Sequence, residues 1–100
     1  MDRVKPEAII VDVDGTVAKW GPLPPDWCTY APEQDSPVEE VVSAVRMLSL
    51  IYDVIILTAR PECARKTTET FLIENDIPYD ELIMQPDGDH RHAVSFKAEV

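Results

Sequence analysis

Three short apolar runs punctuate the chain, and the patterns between them set the elements. Ile9, Ile10 and Val11 form a β-branched run that reads as a buried strand, expected over about residues 8–13. Val54 to Leu57 is a second run, ending at Thr58, and Leu82, Ile83 and Met84 are a third. Between the first two, Val38, Val41, Val42, Val45 and Leu48 recur at helical spacing and make one buried stripe. Ser36 can cap that helix, Pro37 suits its first position, and Glu39 completes a capping box. The helix is expected to end near Ile51 or Tyr52. Between the second and third runs, Pro61 fits the first turn of a helix expected over about residues 62–75. Ala64, Thr67 or Thr68, Phe71 and Leu72 make its apolar face, and Ile77-Pro78 breaks it. A polar loop over 85–92 follows, and another helix is expected to start near Ala93. Strands alternating with helices imply an α/β fold on a parallel sheet with right-handed crossovers.

Residues 17–35 fit neither period. Gly21, Pro22, Pro24, Pro25 and Pro32 exclude a regular helix there. A loop this long in a compact domain is usually functional. Trp20, Trp27 and Tyr30 either anchor it on a small core or close it over a substrate.

The chemistry gathers at the strand ends. Asp12 and Asp14 follow the first strand one residue apart, and Gly15 then permits a sharp turn because it has no Cβ. In open α/β sheets ligands bind at the carboxyl ends of the strands. Paired carboxylates there can hold a hard cation, or one can attack phosphorus while the other moves a proton. Thr58 ends the second strand on the same rim, where its hydroxyl and the following amides can bind a phosphoryl oxygen. Arg60 either makes a bidentate phosphate contact or is a surface arginine. Asp87, Asp89, His90 and His92 match no standard metal spacing and read as a solvated loop around Gly88, with Arg91 available to guide an anion.

Composition narrows this picture. One hundred residues make one domain, 1–100, and 45% apolar residues are ordinary for a globular chain. A formal charge of −10 argues against broad, non-specific nucleic-acid binding but leaves room for one small phosphate pocket. No apolar run reaches the roughly 18 residues of a membrane span, and no signal-peptide layout opens the chain. Cys28 and Cys63 match no zinc or redox spacing and are expected as reduced thiols in a cytoplasm, with a disulfide between them left open. An exposed edge of a short sheet makes a dimer conceivable.

Asp12-Val13-Asp14-Gly15-Thr16 resembles the first motif of the haloacid-dehalogenase-like (HAD) phosphatase superfamily. Thr58-Ala59-Arg60 is similar to its second motif, and Lys97 stands where its third-motif lysine falls. The finer resemblance is to the 3′-phosphatase domain of bacteriophage polynucleotide kinase. It covers the chain from about Ile9 to Val100, including the Pro- and Trp-containing segment 17–35, which looks like a flap in place of a large cap. The kinase half is absent, because no G-x-x-x-x-G-K-[ST] loop occurs. Two departures stand out. Ala93 and Val94 occupy a region where acidic residues usually precede the lysine, and the sequence stops at Val100, where a strand bearing the fourth, acidic motif would follow.

The resemblance implies a three-layer, Rossmann-like HAD fold with a minimal cap, incomplete at its C-terminus. It implies Asp12 as nucleophile, Asp14 as general acid and base, and Mg2+ held by Asp12 and Asp14. Thr58, Arg60 and Lys97 would bind the phosphoryl oxygens. The implied activity is hydrolysis of a phosphomonoester through an aspartyl-phosphate, on a phosphorylated small molecule, a nucleotide or a nucleic-acid 3′ end. The alternative is a catalytically impaired phosphate-binding or interaction module that lacks the fourth motif. A phosphorylation-receiver domain ranks below both, because there the phosphorylated Asp ends a later strand than the metal-binding acids.

Overall fold

The computed structural model describes residues 7–19, 26–29 and 35–86. Strand β1 spans Ala8–Val11, β2 spans Asp53–Pro61 and β3 spans Glu81–Gln85. Helix α1 runs over Glu39–Leu48 and α2 over Arg65–Glu74. Two 3-10 turns, Trp27–Thr29 and Glu62–Ala64, complete the described elements. The strands form one three-stranded sheet in the order β1-β2-β3, parallel throughout. The sheet grows in one direction, so right-handed crossovers carry both helices to the same face. The packing agrees: Val42 and Val45 of α1 and Ala64, Phe71 and Leu72 of α2 share one core with Val11, Val54, Ile56, Leu82 and Met84. Phe71 is 1% exposed, a burial worth about 1.5–3 kcal/mol.

The parallel α/β architecture expected from the alternation is present, but element bounds differ: α1 ends at Leu48 instead of near Ile51 or Tyr52, and α2 begins at Arg65 after a 3-10 turn over Glu62–Ala64. β1 stops at Val11 instead of Val13, because the Val13 carbonyl accepts from the Thr16 and Ala18 N–H groups and starts the turn. α1 begins at Glu39 behind an extended Val38, without a side-chain cap. Residues 36–38 instead pair with residues 17–19: Lys19 N–H donates to the Ser36 carbonyl and Val38 N–H to the Val17 carbonyl. That pairing holds Ser36 and Pro37 out of the helix, so the expected capping box does not form. Along the α1 stripe Val42 and Val45 are buried, Val38 and Val41 half-buried, and Leu48 exposed. β2 continues past Thr58 to Pro61, through a register shift against β3 in which Thr58 pairs with Met84 but Pro61 with Gln85.

α2 ends in a Schellman arrangement. Ile77 N–H reaches the Leu72 carbonyl and Asp76 N–H the Ile73 carbonyl. Asp76 holds a φ of 52° there, the left-handed region that Asp tolerates better than most residues. Arg46, on α1, donates from Nε and Nη2 to the carbonyls of Asp76 and Asn75 and ties the two helix ends together. Among the described residues no helix is long and apolar enough to cross a membrane.

Candidate active site

The parallel register sets Val11 beside Ile56, so Asp12 follows level with Leu57 and Thr58 lies on the same rim of the sheet. Beyond Asp12 the chain turns through Gly15, whose φ of 81° only glycine takes at little cost. Gly15 N–H donates to the Ala18 carbonyl. This compact turn presents both carboxylates at the tip of β1. Asp12 is half-buried, and its Oδ1 accepts from the Val13 N–H at 2.7 Å.

Asp14 is fixed from β2. Arg60 Nε and Nη2 donate to its two side-chain oxygens at 3.0 and 2.8 Å, a bidentate fork. The same guanidinium forks Asp35, with Nη1 to Oδ2 at 3.2 Å and Nη2 to Oδ1 at 2.9 Å. Nη1 also donates to Thr68 Oγ1 on α2 at 3.2 Å. Trp27 covers the cation, with its ring centroid 4.6 Å from Arg60 Cζ. Arg60 is 2% exposed. Burial opposes its charge, yet the hydrogen bonds and charges of Asp14 and Asp35 outweigh that and raise its pKa above the ordinary arginine value. The register shift after Thr58 makes this reach achievable: Ala59 and Arg60 bulge out of the ladder, and bulges re-aim side chains beside functional sites.

Arg60, expected to meet either a phosphate or solvent, therefore has other partners. A guanidinium carries five N–H groups, and the bonds to Asp14, Asp35 and Thr68 engage each of its three nitrogens. Thr58 is 1% exposed, and its Oγ1 accepts from the Arg60 backbone N–H at 3.2 Å. Asp12, Asp14, Thr58 and Arg60 thus meet on one rim. Lys97 lies outside the described residues, as do the 87–92 loop and the helix expected near Ala93.

Sequence reading passed over Asp35 and Trp27 as partners of Arg60. Asp35 stood at the end of a proline-rich loop, with no spacing that ties it to Asp14. Thr68 was visible only as a member of an apolar face. The reduced-thiol expectation is corrected: Cys28 and Cys63 form a disulfide, with sulfurs 2.04 Å and Cα atoms 5.0 Å apart. The two cysteines are separated by 35 residues in sequence, so only the folding of the loop onto the β2–α2 turn reveals the pairing.

Among the described residues no group of three or more His, Cys, Asp and Glu is set to hold a metal ion. Asp12 and Asp14 remain. Mg2+ commonly takes one or two protein carboxylates and keeps waters and substrate oxygens for the rest. That donor set fits, with one restriction: Arg60 bonds both side-chain oxygens of Asp14, so Asp14 has its main-chain carbonyl to offer a metal.

Comparison with known proteins agrees with this geometry. A chain of the Pnkp1/Rnl/Hen1 complex is 32% identical, with a TM-score of 0.83 over 98% of this chain. A chain of the Pnkp1/Rnl/Hen1 RNA repair complex is 33% identical, with a TM-score of 0.85 over the same 98%. This chain spans 34% and 32% of their lengths. A crystal structure from Vibrio cholerae, 22% identical with a TM-score of 0.58 over 86% of this chain and 79% of that one, shares the fold. No curated protein matches. The parallel α/β sheet with its Asp-x-Asp-Gly-Thr turn defines a HAD-like phosphatase domain. The polynucleotide kinase PNKP phosphatase domain family matches residues 6–100, and the chain belongs to that family.

Proposed function

We propose that the chain hydrolyses phosphomonoesters, with a polynucleotide 3′-phosphate as substrate. The observation that carries this reading is the fork between Arg60 and Asp14 beside Asp12 on one strand rim. It orients the Asp14 carboxylate, with Asp12 beside it on the same rim. Asp12 attacks phosphorus in line and forms an acyl-phosphate as the ester oxygen departs. Asp14 moves the protons, giving one to the departing alkoxide and taking one from the water that cleaves the acyl-phosphate. Its side chain is 27% exposed, so water reaches it although Arg60 fixes its plane. Thr58, and Lys97 by its position in the sequence, hold the phosphoryl oxygens. A Mg2+ bound by Asp12 and the Asp14 carbonyl would supply charge neutralisation at the phosphate.

Membership in a polynucleotide kinase phosphatase family, and likeness to a chain of an RNA repair complex, support a nucleic-acid end as substrate. A net charge of −10 favours recognition of one terminal phosphate over binding along a strand.

The test measures phosphate release from oligonucleotides phosphorylated at the 3′ or the 5′ end, with Mg2+ and with a chelator. Release from the 3′ end alone, lost with chelator and lost in Asp12→Asn while the circular dichroism spectrum is unchanged, is the expected result. Full activity in Asp12→Asn removes Asp12 as nucleophile. Saturable binding of the 3′-phosphorylated strand without turnover favours the non-catalytic module.

A further inference from the structure

Asp35 has no task in the chemistry above, yet it is the more deeply buried of the two carboxylates on Arg60. Its side chain is 4% exposed, against 27% for Asp14. We propose that Asp35 is a positioning residue: it is the standing counter-ion that keeps the Arg60 guanidinium aimed at Asp14 while Asp14 gains and loses a proton. The role in turnover rests on the phosphatase reading; the grip on Arg60 does not.

Three observations support it. First, the two carboxylates take different edges of one guanidinium. Asp14 accepts from Nε and Nη2, and Asp35 from Nη1 and Nη2. The Asp35 fork is therefore complete whatever the Asp14 carboxyl carries. Second, the two differ in access to water. Asp14 meets it, as a group that moves protons must, whereas Asp35 is closed off from it. Third, the two backbones belong to one unit. Ala18 bridges to Asp14 on one side and to Pro37 on the other, and Lys19 N–H donates to the carbonyl of Ser36, the residue after Asp35. Asp35 is thus held in register with the turn that carries Asp14.

Charge gives the two carboxylates separate work. With both ionised, Asp14, Arg60 and Asp35 carry one net negative charge. When Asp14 takes a proton from water, that charge goes, and its bonds from Arg60 lose the strength that an ionised acceptor gives them. The guanidinium, 2% exposed, has then lost one counter-charge in surroundings that penalise an uncompensated ion. The Asp35 fork is untouched and keeps a carboxylate on it. Arg60 stays in its plane, and Asp14 returns to the same fork once it has given its proton to the departing alkoxide.

The experiment reads the grip and the chemistry separately. Asp14→Asn mimics the protonated carboxyl, and exchange of the Arg60 guanidinium N–H groups is followed by NMR. Exchange should stay within about threefold of the parent, and quicken by about tenfold or more when Asp35→Asn is added. Asp35→Glu, which keeps the charge but displaces the fork, takes the place of Asp35→Asn if that pair does not fold. Turnover of Asp35→Asn is then compared with the parent on two esters. Phenyl phosphate has a leaving group that needs the Asp14 proton; p-nitrophenyl phosphate has one that departs without it. The expected fall in kcat/KM is about 10-fold to 100-fold on the first, within the roughly 10²–10⁴ that general acid catalysis supplies, and under about threefold on the second. The same ratio of variant to parent on both esters overturns the proposal, because a purely structural loss does not sense the leaving group. Rapid Arg60 exchange in Asp14→Asn overturns it as well. Slow exchange in Asp14→Asn that quickens with the change at Asp35, in a parent that releases phosphate from neither ester, keeps the counter-ion and removes the phosphatase reading.

Discussion

Replacing Arg60 by Met tests whether the buried ionic cluster is built as described. The substitution keeps an unbranched apolar stem but deletes the guanidinium. Asp35, whose side chain is 4% exposed, then loses two donors and the counter-charge of Arg60. Asp14, at 27%, can recover part of its hydration. Removing one partner of a buried ion pair costs about 3–5 kcal/mol, because the other charge is left uncompensated. That is a large share of the roughly 5–15 kcal/mol available to a domain. Urea unfolding at pH 7, followed by circular dichroism, measures it through the midpoint and slope. Asp35→Asn is the milder companion. Its amide oxygen still accepts one N–H, but its NH2 faces a donor, for an expected loss of about 1–3 kcal/mol. The double variant Arg60→Met/Asp35→Asn should be more stable than Arg60→Met alone, because the stranded charge has gone. A loss below about 1 kcal/mol for Arg60→Met, or strict additivity in the double variant, would refute this account of the cluster.

Other outcomes follow from single contacts. Thr58→Val keeps the shape of a 1%-exposed side chain but removes the hydroxyl that accepts the Arg60 N–H. A stability loss of about 1 kcal/mol is expected, with turnover falling about 100-fold if the hydroxyl grips the phosphoryl group; turnover near wild type removes Thr58 from the site. Arg46→Met frees the carbonyls of Asn75 and Asp76 and should lower stability by about 1 kcal/mol, read by thermal unfolding. The Glu62 carboxyl is held below its ordinary value by its hydrogen bond to Arg65. A depressed folded pKa stabilises fully above the unfolded value, about 4.3, and that stability fades as pH falls through the folded value. With both partners more than a third exposed, the pair is worth under about 1 kcal/mol. Glu62→Gln should thus be slightly less stable than the parent at pH 7 and equal to it at pH 2; a larger gap at the lower pH contradicts the sign.

The parts of the fold that were readable were those with a period. Short apolar runs marked all three strands, and the Phe71 and Leu72 face marked α2, because burial imposes apolar runs on strands and helical spacing on helices. The start of α1 was misread for a local reason. Ser36, Pro37 and Glu39 form a good cap by composition, but pairing with residues 17–19 competes for the same backbone and wins. The placing of Asp12, Asp14 and Thr58 on one rim was legible because the two aspartates follow β1 and Thr58 lies late in the parallel β2. Arg60 was legible as chemistry but not as geometry. Its direction depends on a bulge that no residue pattern announces, and its second partner, Asp35, comes from a loop without periodicity. The disulfide was hidden for the same reason, since its partners meet only through tertiary packing.

Asp14 and Asp35 are gripped by one side chain, and residues 17–19 are zipped to 36–38 alongside them. The stem of this segment is thus held shut independently of what lies within it. Doubling the enclosed length adds only about 0.6 kcal/mol to the entropy of closure. Lengthening the enclosed segment should therefore leave the Asp12–Asp14 turn and its bonds to Arg60 in place.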